Sequence, residues 1–217
     1  MERTRQPEWL AVADPADAAR NLADLRRINR WLGGWRIARK LVAQECGRAE
    51  TFSLLDVGAA SGDVGAVIER DFPHACVVAL DCRERHLDGA GRRRVAADAF
   101  HLPFPSASFD LVLCSLFLHH FDEGEIVALL SAFARVARRA VIAIDLERDR
   151  LAYRFLPATR PLFGWHPITV HDGPASVAAG FRTEELRALA GLAGLAGARV
   201  RHHRPWFRLS LVARRML

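Results

Sequence analysis

The 217-residue chain is poor in cysteine, in lysine and in long apolar runs. Its four cysteines, Cys46, Cys76, Cys82 and Cys114, are scattered without a CxxC pair. That spacing argues against a disulfide framework or a zinc site and makes a reducing compartment the default. Met1 is followed by Glu2, Arg3 and Arg5 rather than an apolar stretch, so no signal peptide is expected and the expected location is cytoplasmic. The longest apolar-rich run, Phe109 to Phe121, is too short to span a bilayer and contains His119 and His120. Lys40 is the only lysine; the formal charge of +6 comes almost wholly from arginine. The arginines are spread along the chain, with short clusters at Arg92–Arg94 and Arg201–Arg204 and no basic stripe interleaved with aromatics. Nucleic acid is therefore not the expected partner.

About half the residues are apolar and about a quarter charged, a globular composition sufficient for one ordinary domain. Asp14-Pro15 predicts a helix start. Leu22, Leu25, Ile28 and Leu32 then form a stripe, and Gly33-Gly34 ends it. A second helix is predicted from Trp35 to Cys46. These two are expected to form an N-terminal helical cap over residues 1–50.

From Thr51 short apolar strands alternate with helices. Strands are predicted at Thr51–Val57, Ala75–Leu80, Arg94–Ala97, Phe109–Ser115 and Ala140–Asp145. Helices are predicted at Gly62–Asp71, Arg83–Gly89 and Glu123–Ala137. Continuously apolar strands in this alternation predict a parallel sheet covered on both faces. Residues 149–180 hold Pro157, Pro161, Pro167 and Pro174 with Phe155, Phe163 and Trp165, and are expected to be an irregular lid or pocket wall. Thr183 is expected to cap a helix to about Leu195. Ala198–His203 and Trp206–Ala213 read as a closing hairpin, one strand of it antiparallel.

The stretch LLDVGAASGDVG, residues 54–65, places a glycine-spaced turn between a strand and a helix. In such folds the ligand lies beyond the carboxyl ends of the strands, where glycines let the backbone approach it and the helix offers free N–H groups. The turn misfits G-x-G-x-x-G: Ala60 stands at the second glycine and Asp63 at the last position. Asp56, two residues before Gly58, is a poor neighbour for a pyrophosphate and a good one for a cation. The methionyl ammonium of S-adenosylmethionine (SAM) is such a cation. Asp81 ends the second strand, where a carboxylate can take both ribose hydroxyls. Asp98-Ala99 ends the third, where an acceptor can meet the adenine amino group. Asp110 opens the fourth, whose far end, at Ser115, flanks the methionine moiety.

With these four stations in order over Ser53 to Asp145, the chain resembles the class I SAM-dependent methyltransferases. It looks most like the small-molecule branch that includes the ubiquinone/menaquinone-type enzymes. The segments NLADLRRINRWLGG and HDGPASVAAGFRTEEL resemble bacterial methyltransferases associated with polyketide-type small molecules. The resemblance implies an α/β, doubly wound, Rossmann-like seven-stranded sheet of order 3-2-1-4-5-7-6 with the last strand antiparallel. It divides the chain into the cap and a methyltransferase domain over 51–217, with 149–180 as lid. It implies SAM as cofactor, held by Asp56, Gly58, Ala59, Ala60, Gly62, Asp81, Cys82, Asp98, Ala99, Ser115 and His120. The departure is Ala60, where the family usually has glycine; alanine fits there if its φ is negative.

Methyl transfer needs alignment, exclusion of water and a deprotonated acceptor. His119, after the fourth strand, is the expected base or substrate orienter, the alternative being a local hydrogen bond. His171 is a second candidate, the alternative being a loop histidine. The stretch Ser115-Leu116-Phe117-Leu118 lacks the Pro-Pro-aromatic pattern of enzymes that methylate base amino groups. Cys114 lacks the adjacent proline of carbon-5 pyrimidine enzymes. Catechol-type enzymes hold a divalent cation through acids after strands four and five; here only Asp145 is present, so no metal is expected. The expected reaction is methylation of a hydroxyl on an apolar, aromatic or polyketide-derived small molecule, as in secondary metabolism, by a monomer or homodimer. The alternatives are carbon or nitrogen methylation of a small molecule, methylation of RNA, and a non-catalytic SAM-binding subunit.

Overall fold

The computed structural model describes residues 1–91 and 93–215. Seven strands, β1 (Phe52–Val57), β2 (Ala75–Asp81), β3 (Arg94–Ala96), β4 (Phe109–Ser115), β5 (Ala137–Leu146), β6 (Arg199–His203) and β7 (Arg208–Arg214), form one sheet. Its order is β3-β2-β1-β4-β5-β7-β6. The first five strands are parallel, and β7 runs antiparallel to both β5 and β6, as expected from the resemblance.

Among the described residues seven α-helices accompany the sheet: α1 (Pro15–Trp31), α2 (Gly34–Glu45), α3 (Asp63–Asp71), α4 (Glu123–Val136), α5 (Arg150–Phe163), α6 (Pro167–Ala179) and α7 (Thr183–Leu192). Alternation along the strands sends successive side chains to opposite faces. Leu55, Val57, Val112, Cys114, Val141 and Ala143 pack under Phe133 of α4 and Leu186 of α7. Leu54, Leu111, Leu113, Ile142 and Ile144 pack under Ile37 and Leu41 of α2 and Ile68 of α3. The sheet is thus apolar on both faces, which is why its strands carry no polar alternation. The same packing places α2 against the sheet.

Several expectations are corrected. Residues 149–180 are not irregular: they form α5 and α6. Asp149 caps α5 through Leu151 N–H at 2.7 Å, and Pro167 takes the first turn of α6, where its missing N–H is harmless. Pro157 and Pro161 sit inside α5, a helix with no buried residue, so water can reach the carbonyls they leave unbonded. The 83–89 segment is a tight 3-10 turn, Glu84–Gly89, rather than an α-helix. Arg182 and not Thr183 precedes α7 as its cap, with Glu185 accepting its backbone N–H at 2.9 Å.

The leucine stripe of α1 is also displaced. Leu25 is exposed, and the buried positions are Asn21, Asp24 and Ile28. Asn21 donates to Thr169 Oγ1 at 2.9 Å, and Asp24 accepts from Thr169 Oγ1 at 3.0 Å and from His166 N–H at 2.7 Å. Polar bonds, rather than an apolar seam, fasten α1 to α6. The aromatics of 149–180 serve the same joint: Trp165 is buried, meets the Phe163 ring at a tilt, and has the Arg27 guanidinium of α1 over its face.

Candidate functional site

The site is built where the parallel strands end. Gly58 and Gly62 bracket the turn after β1, both at positive φ (67° and 72°). A Cβ on Gly58 would meet the Phe117 ring, and one on Gly62 the backbone of Ala90. The turn closes through Ala59 N–H to Leu80 O at 3.0 Å and Gly62 N–H to Ala59 O at 2.8 Å. Ala60 departs from expectation: its φ is +45°. It sits in the left-handed region that glycine enters freely and alanine enters at a cost. Its N–H donates to Asp81 Oδ2 at 3.2 Å, a bond that fixes the turn in this conformation.

Asp56 is 2% exposed, and its Oδ2 has no hydrogen-bond partner among the described residues. Burial pushes its carboxyl up to about 7, against the pull of the Gly65 N–H in the first turn of α3. Ser115, at the end of β4, likewise has a buried Oγ without a partner. Two unpaired polar groups at adjacent strand ends suit a polar, partly cationic ligand, because leaving both unpaired is unfavourable. The residues present therefore fit SAM.

Asp81 ends β2 as expected and is buried. Besides Ala60 it accepts Arg83 N–H at 3.0 Å and faces His86 Nδ1 at 3.2 Å. His86 is a neighbour that the sequence did not signal. Cys82 is exposed beside it; burial of the sulfur and the Asp81 charge both raise its thiol. Asp98 caps a short turn, accepting Phe100 N–H at 2.9 Å and pairing with His101 Nδ1 at 2.8 Å. Those bonds hold its carboxyl below the usual range. Both of its oxygens thus have local partners, and Ala99 behind it is buried.

After β4 the chain makes a short turn, Leu118–His120. His119 is 4% exposed. Its Nδ1 lies 2.7 Å from Asp145 Oδ1, near the end of β5, while Asp145 Oδ2 accepts Leu118 N–H at 2.9 Å and His119 N–H at 3.3 Å. Burial pulls the imidazole down, but the Asp145 charge and hydrogen bond outweigh it, and the net direction is up. Asp145 itself resists the upward push of burial and ends below the usual carboxylate range. His120 is pushed down, first by desolvation and then by the His119 charge, although 43% of its side chain remains exposed.

A cleft of about 220 Å³ opens here, walled by His119 and His120, by Arg5, Gln6 and Glu8 of the N-terminal segment, and by Ala175 and Ala179 of α6. Its lining is more polar than the expected acceptor. Arg5 holds His120 O at 2.8 Å and Arg3 holds Phe121 O at 2.7 Å, which brings the N-terminal segment over the site. Glu8, His119 and His120 each bring a ligand-type atom within 4.8 Å of the others. Glu8 was invisible in the sequence because only tertiary packing brings it to the histidines.

His171 is placed elsewhere. It stacks on Trp9, ring centroids 3.7 Å apart, and pairs with Asp172 Oδ1 at 2.8 Å. Asp172 in turn accepts the N–H groups of Trp9 and Leu10 at 2.9 and 3.0 Å. This pair clamps the N-terminal segment and is not among the residues lining the cleft.

No helix among the described residues is long and apolar enough to cross a membrane. Residues 54–152 match the family described as "Methyltransferase domain". Demethylmenaquinone methyltransferase of Thermotoga maritima is 28% identical over 114 residues, covering 50% of this chain and 49% of that protein; the chain thus spans about half the length of this curated relative. Among solved structures, the plantazolicin methyltransferase BpumL in complex with S-adenosylhomocysteine aligns with TM-score 0.68 at 13% identity, over 94% of this chain and 92% of that one. A proposed O-methyltransferase from Nostoc punctiforme PCC 73102 aligns with TM-score 0.61 at 23% identity, over 83% of this chain and 56% of that one. At such identities the structural likenesses speak for the fold. The matched stretch, from β1 to the start of α5 with the glycine turn at one end and Asp145 near the other, is similar to the methyltransferase domain of that family.

Proposed function

We propose that the protein transfers a methyl group from SAM to a hydroxyl of a small aromatic molecule, without a metal. SAM supplies the methyl on a positively charged sulfur. In this proposal Asp56 and Ser115 hold its amino-acid end, Asp81 its ribose, and Gly58, Ala59, Ala60 and Gly62 let the backbone approach it. Cys82, Asp98, Ala99 and His120 line the remainder, with Asp98 reaching adenine only through whatever lone pairs its cap leaves free.

The observation that carries the acceptor assignment is the buried His119–Asp145 pair beside the cleft. Asp145 fixes the imidazole with Nδ1 as donor, which leaves Nε2 free to take a proton from an acceptor hydroxyl. A phenol titrates near pH 10, so a positioned base contributes typically about 10²- to 10⁴-fold. The cleft volume suits a one-ring acceptor. The N-terminal segment with α1 and the 149–180 helices act together as its cover, through the α1–α6 bonds and the Trp9–His171 clamp, while α2 packs on the sheet. His171 then acts by positioning that cover.

The test is methyl transfer from SAM to a panel of phenols, with the wild type and His119→Ala. Turnover on at least one phenol, reduced at least 100-fold in the variant, supports the proposal. Binding of S-adenosylhomocysteine without turnover on any phenol, amine or carbon acceptor identifies a binding subunit instead.

A further inference from the structure

Arg208 opens β7 and is 1% exposed, yet its Nε and Nη1 have no hydrogen-bond partner among the described residues. A buried guanidinium without an acceptor is among the least favourable groups a fold can hold. Arg148, also buried, shows the ordinary solution: it bonds Gly180 O and Met1 O and pairs with Glu185. Asp145 is the acid whose charge reaches Arg208. Its two oxygens are engaged with His119 Nδ1 and with the N–H groups of Leu118, His119 and Leu146.

The placement is informative. Arg208 is in register with Leu146, the last residue of β5, so it stands at the strand ends where ligands bind in this fold. Alternation puts it on the face of Val212, which packs with α2 and α3. Asp56 follows Leu54 by two and Ser115 follows Leu113 by two, on that same face. One edge of one face therefore carries three side chains with buried, unpaired polar atoms: an acid on β1, a hydroxyl on β4 and a base on β7. Strands about 4.8 Å apart place β7 roughly 14 Å from β1, so a ligand reaching Arg208 extends across β4 and β5.

We propose that Arg208 anchors a carboxylate of a ligand bound at this edge. The planar guanidinium matches a carboxylate in two parallel hydrogen bonds, and the acid at the other end of the row disfavours a more highly charged anion. Two ligands of the proposed reaction can supply the group: the amino-acid end of SAM, or an acceptor that is a hydroxy-aromatic acid. The proposal rests on the SAM-dependent reading above.

Two ligand pairs test it on the wild-type protein. One is S-adenosylhomocysteine against its decarboxylated analogue, by calorimetry. The other is a hydroxybenzoate against the phenol lacking the carboxylate, by KM. The expected result is a preference for the carboxylate of roughly 30-fold or more in one pair. That preference should be lost in Arg208→Met and partly kept in Arg208→Lys. The pair that responds names the source. Equal affinity within both pairs overturns the proposal, as does a preference that survives in Arg208→Met. If Arg208→Met does not fold, the wild-type pairs decide whether a carboxylate is recognised and Arg208→Lys whether this residue recognises it. Absence of any S-adenosylhomocysteine binding overturns the SAM reading itself, a distinct outcome.

Discussion

His119 Nδ1 lies 2.7 Å from Asp145 Oδ1, and both residues are buried. This contact joins the turn after β4 to the end of β5 and sets the pH behaviour of the site. With Nδ1 donating to Asp145, Nε2 is the atom left to accept a proton. A base works only when neutral, and Asp145 raises the pKa of His119 above the ordinary histidine value. kcat/KM is therefore expected to rise with pH through an apparent pKa above about 6.5. In Asp145→Asn burial is opposed only by the lesser charge of Glu8, and the limb should move below that value. A rate profile from pH 5 to 9 checks both; an unmoved limb in the variant would disconnect His119 from the rate.

Asp56 predicts proton coupling to cofactor binding. Its folded pKa of about 7 lies above the value of 3.8 it takes when unburied. Between those values the native state keeps a proton that the unfolded chain releases, so this residue's contribution to stability falls as pH rises, by up to ~4 kcal/mol above pH 7. A cationic ligand ionises it. Near pH 6.5, S-adenosylhomocysteine binding should release up to about one proton, read from calorimetry in buffers of different ionisation enthalpy. Asp56→Asn should raise the melting temperature of the unliganded protein at pH 8 by several degrees and weaken binding. Proton-neutral binding in the wild type would remove Asp56 from the ligand.

Ala60 at φ +45° predicts a stabilising substitution. Left-handed backbone costs a non-glycine residue about 1–2 kcal/mol, and the extra freedom of glycine in the unfolded chain returns part of that. Ala60→Gly should therefore raise stability by about 0.5–1 kcal/mol, or roughly 1–4 °C in Tm. A lower Tm would mean the Asp81–Ala60 bond depends on alanine.

The cluster of Glu8, His119 and His120 makes metal independence testable. In the proposed mechanism His119 Nε2 must stay free, so activity should survive exhaustive treatment with EDTA, with no metal detected at stoichiometric level by elemental analysis. Loss of activity restored by a divalent transition metal would turn this group into a metal centre, with Glu8 as its carboxylate ligand.

The sheet was legible because both signals were local. Apolar runs such as Leu54–Val57 and Leu111–Cys114 mark buried strands by their continuity, and the glycines of residues 58–62 mark the turn. What depended on distant packing was not legible. The four prolines of 149–180 read as breakers, yet Pro167 begins a helix and Pro157 and Pro161 lie on the solvated α5. Leu25 fits an apolar stripe, but α1 is fastened by Asn21 and Asp24 to Thr169 of α6. Glu8 enters the cleft from the N-terminal segment, and Arg208, one arginine among many, is buried only because β7 lies between β5 and β6. His119 stands out from its place after β4; Asp145 reads in the sequence only as a lone acid insufficient for a metal site, and its pairing with the imidazole is not signalled there.

The central claim is that the ends of β1, β2 and β4 form a SAM site. Calorimetric titration with S-adenosylhomocysteine, for the wild type and Asp81→Ala, tests it most directly. The expected result is one-to-one binding by the wild type and a loss of roughly 10-fold or more when the ribose acceptor is removed. No binding heat at any temperature, or identical affinity in the two proteins, would contradict the assignment.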